Sequence, residues 1–109
     1  MNILIKYKNG DLDYNLRDFE KDSQNSFFLA KNHEKAITIL NENIIDKAIL
    51  EIDALDEINL LDYINNYFPD IPVVIIADRK NENILSTIKR GIFAIMEKPF
   101  NLKQILAEL

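Results

Sequence analysis

The sequence predicts an α/β fold, a (βα)5 doubly wound five-stranded parallel sheet, and three observations carry that prediction. First, the runs Lys47–Ile52 and Pro72–Ala77 read as buried strands, and the second is β-branched and continuously apolar, as in a parallel strand covered on both faces. Second, Ile3–Ile5, Ser26–Ala30 and Ile92–Met96 are shorter runs of similar kind. Third, the intervals between these five runs carry helical spacing, so strands and helices alternate along the chain. The right-handed crossover rule then places helices on both faces of one sheet.

Each helix is read from its own apolar stripe. Leu12, Leu16 and Phe19 share a face in the first. Ala36, Ile37 and Leu40 follow Asn32, a residue suited to capping the second, and Leu60, Leu61, Ile64 and Phe68 mark the third. Ile84, Leu85 and Ile88 form the fourth, stopped by Gly91, and Leu102, Ile105, Leu106 and Leu109 form the fifth. A length of 109 residues suits one hydrophobic core, and residues 1–109 are read as one domain. The apolar end at Leu109 suggests a native chain that continues into an output domain.

Composition narrows the function. A net charge of −5 gives no electrostatic basis for gripping DNA or an anionic membrane, so contact with DNA is expected only through a separate domain. The absence of cysteine rules out disulfides, thiolate metal sites and cysteine nucleophiles. No apolar run has the length of a membrane span, and a cytoplasmic location is expected. With two glycines in the chain there is no phosphate-cradling fingerprint. His33, the single histidine, falls in the first turn of a helix and reads as a surface residue, whereas Tyr63, Tyr67 and Phe68 read as cover for the sheet.

In sheets of this type ligands sit at the carboxyl ends of the strands. The tips carry Tyr7 and Lys8, then Glu51 to Asp53, then Ala77 and Asp78, and finally Lys98-Pro99-Phe100. Along the whole chain these residues and their surroundings resemble the receiver domain of bacterial two-component response regulators. The resemblance rests on Asn2–Ile5, Ala30–Ile37, Asp46–Glu51, Pro72–Ile76 and, most specifically, the stretch from Gly91 to Phe100 that ends in Lys-Pro-Phe. It implies the flavodoxin-like receiver fold.

In that family an aspartate at the third strand tip accepts a phosphoryl group from a histidine kinase. Two acids after the first strand hold Mg²⁺, a Ser/Thr after the fourth binds the phosphoryl, and a lysine after the fifth neutralises it. Carried onto this chain, the acceptor position falls on Glu51, the acid pair on Tyr7 and Lys8, the hydroxyl position on Ala77 and the lysine on Lys98. The inward-turning aromatic switch falls on Ile95. Asp53 is the alternative acceptor, although it breaks the interval from Asp46.

These substitutions imply a degenerate pocket. Tyr7 and Lys8 do not supply the hard oxygen ligands of Mg²⁺, and no cofactor is expected. Ala77 cannot donate a hydrogen bond, and the extra methylene of Glu51 displaces its oxygen from an in-line geometry that tolerates little error. Glu51 is therefore read as a fixed charge paired with Lys98 or Lys8. The expected product is a non-enzymatic pseudo-receiver that self-associates without phosphorylation, ahead of a DNA-binding domain. The family's two-fold surface of fourth helix, fifth strand and fifth helix would draw here on Lys89, Arg90, Phe93, Glu97, Lys103 and Glu108. An adaptor that binds a different protein through this surface is the alternative.

Overall fold

The structure, a computed structural model, describes residues 1–7, 25–52 and 58–77, together with the backbone of 94–97. Five strands form one parallel sheet, β1 (Asn2–Lys6), β2 (Ser26–Ala30), β3 (Lys47–Glu51), β4 (Val73–Ala77) and β5 (Ala94–Glu97), in the order β2-β1-β3-β4-β5. Two helices are described, His33–Glu42 and Ile58–Tyr67. The stripes of the other three expected helices, Leu12–Phe19, Ile84–Ile88 and Leu102–Leu109, lie outside the described residues.

The sheet follows directly from the apolar runs. Leu4 pairs with Phe28 on one side and Ala48 on the other, Leu50 pairs with Ile75, and Ile75 with Ile95. Side chains alternate between faces along each strand. On one face Leu4, Ala48, Leu50, Val73, Ile75 and Ala77 join Ala36, Ile39 and Leu40 of the first described helix and Leu60, Leu61 and Ile64 of the second. On the other face Ile3, Ile5, Ile49, Val74 and Ile76 are also buried, so the sheet is covered on both sides.

Strand boundaries shift by a residue or two from the expectation, for identifiable reasons. β4 begins at Val73, because Pro72 lacks an N–H; its carbonyl still accepts from the Ala48 N–H at 3.0 Å. Ile52 lies just past β3, although its N–H bonds the Ile76 carbonyl at 2.9 Å. β5 is described over Ala94–Glu97, one residue past the expected end at Met96, and Ile92 and Phe93 of the expected run lie outside the described residues. At the opposite end Asp46 fastens β1 to β3. Its carboxylate accepts from the Asn2 N–H at 2.7 Å, its own N–H donates to the Asn2 carbonyl at 2.8 Å, and Asn2 Nδ2 donates to the Ile44 carbonyl at 2.7 Å. Asp46→Ala is expected to lower stability by about 1 kcal/mol, read as a lower urea midpoint at an unchanged slope.

The His33–Glu42 helix begins where Asn32 caps it. Asn32 is extended at φ −142°, and its Oδ1 accepts from the Lys35 N–H at 2.8 Å. The helix ends on Asn43, whose N–H and Nδ2 both donate to the Ile39 carbonyl, at 3.0 and 3.1 Å. Its buried face is Ala36, Ile39 and Leu40; Ile37, expected in that stripe, is only half-buried and packs at the edge of the core. Asn41 Nδ2 links the two helices, donating to the Ile37 carbonyl at 3.0 Å and to the Tyr63 hydroxyl at 3.1 Å. Tyr63→Phe removes one exposed neutral bond and is expected to cost under about 1 kcal/mol, measured by thermal unfolding.

The expectation that Tyr67 covers the sheet is wrong. Tyr63 and Phe68 do pack against the core, but Tyr67 is 69 % exposed and rests its ring on Tyr63 with centroids 4.8 Å apart. Tyr67 is the last residue of its helix, and it is the next residue, Phe68, that reaches the core. His33 is the first helical residue, half-buried rather than fully at the surface.

Candidate functional site

The sheet order has a topological switch point between β1 and β3, where the chain winds away in opposite directions. The crevice above such a point is where doubly wound sheets bind ligands. The residues at its rim are the ends of β1, β3 and β4, and all of them are buried.

Glu51 is the last residue of β3 and is 1 % exposed, with both carboxylate oxygens withdrawn from solvent. It pairs with Ile76 of β4, and alternation places its side chain on the Ile49 face. Tyr7 follows β1 directly and lies one residue beyond the Lys6–Leu50 pair, so it stands beside Glu51 on the same face. Its N–H bonds the Ala30 carbonyl at 3.0 Å, which extends the seam with β2. Lys31, next in chain after β2, holds its ammonium 6.0 Å from the centroid of the Tyr7 ring, within cation–π range. The phenol therefore occupies the place beside Glu51 with its body buried and a cation over its ring.

Ala77 is the last residue of β4 and is fully buried, in the apolar cluster with Ile52, Leu60 and Leu61. Alternation sets it on the face opposite the Glu51 side chain. Lys8, Asp53 and Lys98 lie outside the described residues, as do Lys89, Arg90, Phe93, Lys103 and Glu108. Ile95 is placed by backbone opposite Ile75, and Glu97 opposite Ala77.

One rim residue escaped the sequence reading. Lys6 ends β1 and is only 5 % exposed, and its Nζ donates to the main-chain carbonyl of Glu51 at 3.2 Å. A lysine is almost never buried without a partner. The signal was legible: Lys6 directly follows the apolar run Ile3–Ile5, ahead of Tyr7, in a strand read as buried. The described rim thus presents one carboxylate, one phenol and one buried ammonium. Mg²⁺ is held by carboxylates, waters and phosphates, and an ammonium anchored on the carboxylate-bearing residue works against that donor set. Among the described residues no three acids or histidines cluster in a way that would hold a metal ion.

With this fold and rim in place, the comparisons with known proteins define the class. No family model matches the chain. It is 31 % identical over 83 residues to a putative response regulator NtrX-like of Rickettsia typhi, covering 72 % of this chain and 18 % of that protein. A second relative, the nitrogen assimilation regulatory protein NtrX of Azorhizobium caulinodans, is 40 % identical over 58 residues, 52 % of this chain and 13 % of that one. Among solved structures, a two-component response regulator from Clostridium difficile superposes with a TM-score of 0.81 at 29 % identity, over 99 % of this chain and 91 % of that one. NtrX from Brucella abortus superposes with a TM-score of 0.81 at 27 % identity, over 97 % of this chain and 25 % of that one.

The chain belongs to the response regulator receiver-domain family of two-component systems. Within that family its likeness includes NtrX-type regulators, and it spans less than a fifth of the curated relatives it matches, 13 % and 18 % of the two named here. Among the described residues no helix is long and apolar enough to cross a membrane.

Proposed function

We propose that this chain is a non-enzymatic signalling domain of the two-component type whose pocket holds a fixed charge and whose output does not depend on phosphorylation. The observation that carries the reading is the buried rim. At the acceptor position a glutamate lies at 1 % exposure, beside it a tyrosine replaces an acid, and at the hydroxyl position Ala77 is sealed in the core. Phosphoryl transfer is catalysed almost entirely by positioning and charge neutralisation. A pocket without the acid pair, the aspartate and the hydroxyl retains little of either. Neither Glu51 nor the alternative Asp53 then turns over phosphoryl, and neither recruits Mg²⁺.

The domain acts through self-association on the surface of fourth helix, fifth strand and fifth helix, where Lys89, Arg90, Phe93, Glu97, Lys103 and Glu108 mix both signs of charge. Mixed charge suits an isologous contact, in which each acid meets a base across the dyad. The regulatory output, DNA binding included, resides in a separate domain of a longer, cytoplasmic protein. A heterologous partner on the same surface is the second reading, favoured by the same charges and separated from the first by solution mass.

The test is titration with beryllofluoride and Mg²⁺ followed by amide spectra. No shifts localised at residues 51–53 and 98 are expected; such shifts would overturn the reading. Sedimentation is expected to give a dimer mass that Arg90→Glu halves, whereas a monomer mass before and after would favour the second reading.

A further inference from the structure

The switch-point crevice between β1 and β3 carries a feature that the substituted family positions do not account for. At its mouth a side chain crosses from one strand to the other: Lys6 Nζ to the Glu51 carbonyl, 3.2 Å, both residues buried. The main chain explains why that carbonyl is available. In a parallel ladder successive residues bond alternately to the two neighbouring strands. Ile52 bonds β4 through its N–H, so the Glu51 peptide faces β1. β1 ends at Lys6, and the side chain of that last residue takes up the acceptor where the strand stops.

The ammonium is therefore not a solvated end of a long chain. It is a cation fixed by covalent attachment at the seam where a doubly wound sheet would accept a ligand. Burying it carries a desolvation cost that a neutral side chain at this position would avoid. Alternation sets the Lys6 stem on the Leu4 face and the Glu51 carboxylate on the other, so the ammonium and carboxylate bracket the end of β3 from both sides. A hard divalent ion bound by Glu51 would have to share this buried rim with a positive charge that cannot diffuse away.

We infer that Lys6 is a tethered cation that closes the β1/β3 crevice and excludes divalent metal ions from Glu51. This deepens the proposed fixed-charge pocket and rests on it. Lys6 acts as a positioning residue: it holds the Glu51 main chain and sets the charge of the crevice without reacting.

The experiment is a Mn²⁺ titration of the 109-residue chain, followed through paramagnetic broadening of amide signals. In the wild type the amides of Tyr7, Glu51 and Ile52 are expected to keep their intensities relative to the rest of the spectrum. In Lys6→Met, which keeps the chain volume and removes the charge, the same three amides are expected to broaden selectively. Lys6→Arg, which keeps the charge, should behave as the wild type. If Lys6→Met does not fold, Lys6→Gln retains a neutral donor for the Glu51 carbonyl and is expected to broaden in the same way.

Selective broadening in the wild type overturns the inference, and so does a folded neutral variant that remains indifferent to Mn²⁺. The two readings fail separately. Mn²⁺ binding by the wild type without a beryllofluoride response removes the Lys6 inference alone, whereas a beryllofluoride response centred on Glu51 removes the phosphorylation-independent reading.

Discussion

Glu51→Gln is expected to lower the unfolding free energy by about 3 kcal/mol, the scale for removing one member of a buried charged set and leaving the rest uncompensated. The side chain is 1 % exposed, so water cannot substitute for the lost charge. The amide matches the carboxylate in size, so the loss does not arise from a cavity. Lys6 Nζ, also buried, is held on the main-chain carbonyl of the same residue. Urea unfolding followed by circular dichroism checks the result through the midpoint at unchanged slope. An unchanged midpoint, together with an unchanged solution mass, would show that Glu51 does not stabilise the domain and would reduce it to a carboxylate tolerated at a strand end.

Leu50→Ala is expected to cost a similar amount, about 3 kcal/mol, by a different mechanism. Leu50 is buried on the central strand, pairs with Lys6 and Ile75, and packs into the cluster formed with both described helices. Truncation removes its transfer free energy and leaves a void that neighbouring strands cannot close, because the ladders on both sides fix their spacing. It also loosens the two residues flanking the rim, Glu51 in sequence and Lys6 across the ladder. The expected signature is a lower midpoint together with amide shifts that extend to Lys6, Tyr7 and Glu51. Shifts confined to the helix side would show that the rim is held independently of the core beneath it.

Much of this architecture was legible in the residues themselves. Continuous apolar runs identify strands buried on both faces, and Asn32 caps a helix by the hydrogen bond its side chain suits, whereas the C-terminal role of Asn43 emerged only in the structure. Alternation of elements and crossover handedness predict one parallel sheet covered on both faces, as observed, but leave its order β2-β1-β3-β4-β5 to the structure. The strand tip at Glu51 too was readable, since Glu51 closes the strand that Asp46 precedes. Tyr67 was misread because periodicity does not say which of two adjacent aromatic residues at a helix end, Tyr67 or Phe68, reaches the core. Ile39 replaced Ile37 on the buried face for a related reason: neighbouring apolar residues on a helix compete, and the angle of docking chooses between them.

The sequence by itself determined the fold class, the strand tips that matter and the chemical identity of each residue there. Local pattern encodes these, since alternation, capping and apolar runs act over a few residues. Only the tertiary structure decided which of the tip residues share a space. Tyr7 and Glu51 come to one face and Ala77 goes to the other, because strand register assigns faces and a shift of one residue reverses them. It also brought Lys6 to the Glu51 carbonyl, a contact between residues 45 positions apart. Contacts at that separation depend on how strands stack side by side, which no run of neighbouring residues records.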